Sequence, residues 1–233
     1  MKTALVTGSS KGIGKAIAIE LAKQEYCVIT NDINNSNNLS FVADISCPMA
    51  VKALFEFIIT EYGKLDVLIN NAAIQTNHSF LSMGLDNWNT VLKNNLTGTF
   101  LCGQYAARMM KEQGGGKIIN ISSVHDTYPW KNHSSYCVSK AGIAMLTKCM
   151  AAELAEYNIQ VNYITLGGVN TALTDEERIE KILPTIPAKR IAQPEEAAKA
   201  VSYLVSPEAV FITGTNITMD GGQSLGVWAG KDL

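Results

Sequence analysis

At 233 residues with a net charge of −2, the chain is long enough for one complete core and lacks the basic patch that nucleic-acid binding requires; its charges are interspersed, with no run of five of one sign. Hydrophobic residues make up 47% and charged residues 17%, an ordinary globular balance. No stretch approaches the ~18 consecutive apolar residues of a membrane span, and the short apolar run at the N-terminus gives way at once to Gly and Ser, unlike a secretion signal, so a cytoplasmic protein with neither a membrane nor a nucleic-acid partner is expected.

Apolar runs of strand length alternate with helical patterns. A strand is expected over 3–7 and a helix over 13–24, with Ile13, Ile17 and Leu21 on one face. Residues 26–31 read as a second strand and 41–43 as a short third. Between them, 33–39 is polar, rich in Asn and too short for the dozen or more residues of a parallel crossover, so its helix is expected to be shortened or absent. A helix follows over 48–62. Val51, Leu54, Phe55, Ile58 and Ile59 recur there at helical spacing, Ser46 is the expected N-cap, and Pro48 stands in the first turn, where its missing N–H is harmless. Residues 67–70 read as a strand covered on both faces. Then come a helix over 99–111, a break at 114–116, a strand over 117–121, a helix over 139–156 and a strand over 159–165. Residues 175–183 read as a short lid helix with Thr174 as its N-cap. A helix over 194–205 and a strand over 216–219 complete the pattern. This alternation predicts one α/β domain over 1–233: a doubly wound (Rossmann) parallel sheet of about seven strands with helices on both faces. The five cysteines, Cys27, Cys47, Cys102, Cys137 and Cys149, show no CxxC spacing and read as reduced, small hydrophobic residues; no metal site is expected.

Three patterns carry chemistry. Thr7-Gly8-Ser9-Ser10-Lys11-Gly12-Ile13-Gly14 stands between a strand and a helix. Glycines let the backbone turn sharply and approach a pyrophosphate, and the helix N-terminus offers unpaired N–H groups. The spacing differs from the common GxGxxG form, and a plain glycine-rich turn is the alternative. Asp32 follows 18 residues after Gly14, at the end of the second strand. A carboxylate there accepts from the adenosine ribose hydroxyls and repels a 2′-phosphate, which favours NAD(H). Lys11 argues for a 2′-phosphate, so NADP(H) stays open. Tyr136 and Lys140 are four residues apart on one helical face. To act as a base near neutrality, a tyrosine must come down from ~10 by roughly 3 pH units, ~4 kcal/mol, and a neighbouring cation works in that direction. Ser123, 13 residues before Tyr136, ends a strand, where open α/β sheets bind ligands; its hydroxyl can hold a substrate oxygen while Tyr136 moves the proton.

Taken in order, these motifs resemble the short-chain dehydrogenase/reductase family over almost the entire chain. The family's TGxxxGxG falls on 7–14, its adenine-side aspartate on Asp44, followed by Ile45, and its NNAG on Asn70, Asn71, Ala72 and Ala73. Its catalytic asparagine falls on Asn95, its Ser-Tyr-Lys set on Ser123, Tyr136 and Lys140, and its later VN…PGxVxT, PEE and TG…DGG segments on 161–171, 194–196 and 213–222. The resemblance implies an NAD(H)-dependent oxidoreductase acting on a small alcohol/carbonyl substrate. Tyr136 would be the general acid/base, Lys140 would lower its pKa and bind the nicotinamide ribose, Ser123 would orient the substrate, and Asn95 would hold a water of the proton relay. The implied cofactor contacts are Gly8, Ser10, Lys11, Gly12, Ile13, Gly14, Asp32, Asp44, Ile45, Asn71, Ala72, Ala73, Val169 and Thr171, with Tyr136 and Lys140. Three features depart from the family: Ala73 replaces the last Gly of NNAG, Leu166 replaces a Pro, and the crossover helix after Asp32 is missing.

The segment from Ser122 to Trp130 is similar to the SSVHxxxPW pattern of the glucose 1-dehydrogenase-like members of that family. That similarity points to a sugar or polyol, with Ser123, His125, Tyr136 and Gly168 as substrate contacts and Asp126 and Asn170 as further polar groups; alternatively, His125 and Trp130 only shape a loop. His78 and His133 read as surface-loop residues. The resemblance also implies a homo-oligomer, a homotetramer in many members. Its interface would use helices bearing Phe100, Leu101, Tyr105, Met109, Met145, Leu146 and Met150, although such stripes are first of all core faces. The tail 225–230 would cover a neighbouring subunit or its own pocket. Two other functions remain in view. One is an NADPH-dependent 3-ketoacyl-type reductase using the same four residues. The other is a non-catalytic NAD(H)-binding sensor, whose usual sign, loss of the Tyr or Lys, is not seen.

Overall fold

The computed structural model describes residues 1–34, 39–171, 174 and 176–226. Seven strands, β1 (Thr3–Thr7), β2 (Cys27–Asp32), β3 (Phe41–Val42), β4 (Val67–Asn70), β5 (Gly116–Ser123), β6 (Ile159–Leu166) and β7 (Asn216–Met219), form one parallel sheet. Their order is β3-β2-β1-β4-β5-β6-β7, which reverses direction between β1 and β4. Ligands of doubly wound sheets bind at that switch point, beyond the strands' C-terminal ends. Thr7, Asp32, Asn70, Ser123 and Leu166 occupy those ends.

Helices α1 (Gly12–Lys23), α2 (Pro48–Tyr62), α3 (Leu85–Leu92), α4 (Gly98–Glu112), α5 (Ser134–Leu154), α6 (Glu176–Ile182) and α7 (Pro194–Val205) complete the described fold. One core layer joins α1 and α7 to the sheet through Ala4, Val6, Ile17, Leu21, Val201 and Leu204. The other packs α2, α4 and α5 on the opposite face around Leu5, Leu54, Phe55, Ile58, Met110 and Ala151. Successive strand residues such as Ala4, Leu5 and Val6 feed alternate layers, which is why the inner strands are apolar without alternation.

Several elements differ from expectation. α2 begins after Cys47, not Ser46, because Asp44 closes a turn by accepting the Ser46 N–H at 2.8 Å and, through its carbonyl, the Cys47 N–H at 3.0 Å. α3 has no counterpart among the expected elements. Its apolar side chains, Leu85, Trp88, Val91 and Leu92, fall on one face, but only Val91 is buried. A π-turn over Lys93–Thr97 joins it to α4. α5 starts at Ser134, before the expected 139, which places Tyr136 in its first turn. The Thr174 hydroxyl donates to the Val169 carbonyl at 2.9 Å; Asp175, with which the expected lid helix would open, lies outside the described residues.

Between β2 and β3 no helix occurs among the described residues; 35–38 lie outside them. Side chains staple the short crossover instead. Ser40 and Thr30 exchange N–H to hydroxyl bonds of 3.1 and 3.0 Å, and the Asn31 amide donates to the carbonyls of Phe41 and Ala43, both at 3.2 Å. Of the tail 225–230, residues 227–230 lie outside the described residues, and Leu225 is exposed. No described helix is long and apolar enough to cross a membrane.

Candidate active site

The glycine loop and the loop after β4 are tied together at the switch point. Thr7 Oγ1 accepts the N–H groups of Asn71 and Ala72 at 3.1 and 3.2 Å. The Asn71 amide donates in return to the carbonyls of Thr7 and Gly8 at 2.9 and 3.0 Å. Gly8 turns at φ +63, and a Cβ on Gly14 would lie 2.2 Å from the Gly8 carbonyl oxygen. α1 starts after Lys11 with no side-chain cap and no acidic residue in its first turn, so its leading N–H groups face the loop with their partial positive charge. This cradle fits the pyrophosphate of a dinucleotide: close backbone, free donors, and no carboxylate at the helix start. Gly14→Ala is expected to force the loop apart. Dinucleotide affinity should fall tenfold or more, roughly the 1–3 kcal/mol of an overpacked contact, and melting with and without dinucleotide checks it.

Asp32 reaches over the same loop. Its Oδ2 accepts from the Ser10 hydroxyl at 2.6 Å and the Ser10 N–H at 3.3 Å, and its Oδ1 from the Ile33 N–H at 2.8 Å. Ile45 is buried beside Asp44, and Thr171 stands next to Gly12, where a Cβ would meet its methyl at 3.5 Å. Val169 is buried and bridges to Ala192. Gly168 faces Ile182 of α6, so the lid helix packs directly on this loop. Ala73 is exposed and Leu166 is buried within β6, paired with Met219.

Asn95 is fully buried in the π-turn, an element that recurs at functional sites. Its Oδ1 accepts the Ile74 N–H at 2.8 Å. Its Nδ2 donates to the Ile74 carbonyl at 2.9 Å and to Ser139 Oγ at 3.0 Å. Ser139 Oγ then donates to the Tyr136 carbonyl at 2.7 Å. Asn95 thus braces the loop after β4 against the first turn of α5. Both of its amide hydrogens are engaged, so any water it holds is held by oxygen.

Lys140 is buried, and its Nζ donates to the Ile121 carbonyl at 2.8 Å, 5.6 Å from the centre of the Tyr136 ring. Burial pushes Lys140 down to about 8, with Asp126 opposing the fall. Ser123, also buried, accepts the His125 N–H at 3.3 Å and starts a single 3-10 turn over Val124–Asp126. The His125 ring stacks on Trp130 at 4.6 Å, Trp130 stacks on His133 at 3.6 Å, and Trp130 meets the Tyr136 ring edge-on at 6.1 Å.

His133 is therefore buried, contrary to its reading as a surface-loop residue; the indole covers it. Asp126 is likewise not offered to a substrate. It turns inward onto the hydroxyls of Ser122, Thr165 and Thr127 at 2.9, 2.8 and 3.0 Å. The Asn170 amide is engaged with Gln193 at 3.3 Å. The bracing part of Ser139, and the hold of Thr7 on the loop after β4, were given no role from sequence: only contacts across the fold show them.

Comparison with known proteins places the chain in a family. A family model described as enoyl-(acyl carrier protein) reductase matches residues 8–224. The chain is 38% identical to glucose 1-dehydrogenase 2 of Bacillus subtilis, over 96% of this chain and 95% of that one. It is 36% identical to the 3-oxoacyl-[acyl-carrier-protein] reductase of Vibrio cholerae, over 95% and 96%. Among solved structures, the ligand-free aldohexose dehydrogenase of Thermoplasma acidophilum superposes with a TM-score of 0.90 at 34% identity, over 96% and 94%. By this family match, these identities and the shared fold, the chain belongs to the short-chain dehydrogenase/reductase family, oxidoreductases that use nicotinamide cofactors.

Proposed function

We propose that this protein transfers a hydride between NAD(H) and a small alcohol/carbonyl substrate, with sugars and polyols as the first class to test. The observation that supports this reading is the buried Lys140 ammonium, 5.6 Å from the Tyr136 ring centre and bonded to the Ile121 carbonyl of β5, the strand that Ser123 ends, together with a glycine cradle that fits a pyrophosphate. Bound nicotinamide accepts or supplies the hydride. In the oxidative direction Tyr136 takes the hydroxyl proton of the alcohol, and in reduction it returns a proton to the carbonyl oxygen. The Lys140 ammonium favours the phenolate and holds the nicotinamide ribose, Ser123 Oγ orients the substrate oxygen, and Asn95 keeps the surrounding loop and helix in register. Ser10, Lys11, Gly12, Ile13, Asp44, Ile45, Ala72, Ala73, Val169 and Thr171 would line the cofactor, and His125 and Gly168 the substrate.

Asp32 supports NAD(H) over NADP(H). Its carboxylate is fixed by Ser10 at the end of β2, and there it would repel a 2′-phosphate. Two like charges ~4 Å apart repel by about 4 kcal/mol at an effective dielectric near 20. Titration of the purified protein with NAD(H) and NADP(H) by fluorescence and thermal shift tests this. NAD(H) should be preferred, and Asp32→Ala should raise NADP(H) affinity by about tenfold or more. A native preference for NADP(H) would sink it and promote Lys11 as the discriminator.

The sugar or polyol reading draws on the glucose and aldohexose dehydrogenases among the relatives. The similar 3-oxoacyl-[acyl-carrier-protein] reductases favour a second reading, reduction of a 3-ketoacyl group. Turnover on a panel containing both classes separates the two; binding without turnover on any member would turn the reading toward a sensor. A homo-oligomer, proposed as a tetramer, is supported by Phe100 on α4 and Met145 on α5, which are 43% and 59% exposed; Tyr105 instead stacks on Phe55 in the core at 5.3 Å. A cytoplasmic setting is supported by the five cysteines, all free.

A further inference from the structure

We propose that Asp126 is a positioning residue for the Tyr136–Lys140 pair: its inward-turned carboxylate sets a fixed negative charge beside the turn of α5 that carries Lys140. This rests on the acid/base reading given above. The geometry is specific. Ser122 and Thr165 are cross-strand partners on β5 and β6, and their hydroxyls converge on one oxygen of Asp126 at 2.9 and 2.8 Å. Thr127 Oγ1 donates to the other oxygen at 3.0 Å. The carboxyl group of Asp126 thus accepts from three hydroxyls and is held in one orientation. Ser122 Oγ also lies 3.4 Å from the Lys140 carbonyl oxygen, so the carboxylate's partner packs against the turn of α5 that carries Lys140.

Lys140 has need of such a charge. It is buried, and its Nζ donates to a neutral carbonyl, that of Ile121. Asp126 is the charged group whose field opposes the loss of its proton. The titratable groups around Asp126 are Lys140 and Tyr136 on α5, His125 and Tyr128 on its own loop, and Tyr163 on β6, which is pushed up chiefly by burial and further by Asp126. β7 contributes the neutral Asn216 and Thr218, which line with Asp126 a polar cavity of about 180 Å³.

Removing a negative charge makes neighbouring protons easier to lose, so both steps of the Tyr136–Lys140 pair should move the same way. In Asp126→Asn, the pH profile of kcat/KM for alcohol oxidation should shift down as a whole by about one pH unit. A purely structural role would lower the profile and leave its limbs in place. A second readout needs neither cofactor nor turnover: NMR of 13C-lysine-labelled protein, with the Lys140 signal assigned by its loss in Lys140→Met. Its titration midpoint should fall by a similar amount in Asp126→Asn and stay in Asp126→Glu, which keeps the charge. If Asp126→Asn does not fold, Asp126→Ser puts a neutral hydroxyl in the same nest and gives the same reading. Unmoved midpoints and limbs in the neutral variant overturn the proposal. Full turnover in Tyr136→Phe would overturn the parent reading instead, and the lysine titration would still report on Asp126.

Discussion

Tyr136→Phe is expected to cut turnover by about 10³-fold, within the range that a positioned general acid/base supplies, while dinucleotide affinity and melting temperature stay close to those of the parent. The selectivity of that loss follows from what the ring touches. Tyr136 is half-buried, meets Trp130 edge-on at 6.1 Å and has the Lys140 ammonium 5.6 Å from its ring centre. Phenylalanine keeps these ring contacts and the backbone carbonyl that accepts from Ser139. Only the hydroxyl, and with it the proton, is gone. The measurement is steady-state turnover on whichever substrate of the panel reacts, alongside dinucleotide titration. A variant that binds dinucleotide and keeps more than about a tenth of the parent rate would remove Tyr136 from the acid/base role.

The sheet was the legible part of the fold. Strands such as Val67–Asn70 are short apolar runs because both faces are covered, and that pattern needs no partner to be recognised. α7 was legible to the residue, since Pro194 opens it; in the fold Glu196 adds a bond back to the Gln193 N–H at 2.8 Å. α3 was not. Its sequence is rich in Asn and Asp, residues that favour turns, and its apolar face of Leu85, Trp88, Val91 and Leu92 spans only two turns and buries Val91 alone. The early start of α5 was hidden for a similar reason. Ser134 and Ser135 carry no apolar signal, and the helix is set by Asn132, which turns the chain at φ +66, and by buried His133.

The catalytic set was legible because its members recur at fixed offsets and at strand or helix ends. What surrounds them was not. The direction in which Asp126 points depends on Ser122 and Thr165 being paired across β5 and β6, a register that no local pattern encodes. The brace from Asn95 through Ser139 to Tyr136 spans 44 residues between its first two members and requires the π-turn, which offers no sequence mark here. Polar residues read from sequence as candidate ligands thus divide into two kinds once folded: those that face the cleft, and those such as Asp126 that serve the residues facing it.

Lys140→Met is expected to abolish most turnover and yet make the protein more stable at neutral pH. Lys140 titrates near 8 in the folded protein against an ordinary 10.5, because burial disfavours the ammonium. The unfolded chain therefore holds the proton more tightly. Below pH 8 the lysine is charged in both states and its burial penalty is fully present; between about 8 and 10.5 the folded state sheds the proton first, and stability rises with pH. At pH 7 the penalty is on the order of 3 kcal/mol. Methionine removes it at the loss of the bond to the Ile121 carbonyl, worth about 1 kcal/mol, and leaves Asp126 with its three hydroxyl donors. A net gain of roughly 1–2 kcal/mol should raise the melting temperature by about 3–6 °C at pH 7. Melts of the cofactor-free protein at pH 7 and pH 10, at one fixed concentration, test the sign. The gain should be present at pH 7 and nearly gone at pH 10. A variant less stable than the parent at pH 7 would mean that the ammonium is held without penalty, by more favourable charge than Asp126 and the Ile121 carbonyl provide. A stabilised and inactive variant would show that the fold carries an electrostatic penalty in its core because the proton chemistry of Tyr136 needs a cation there.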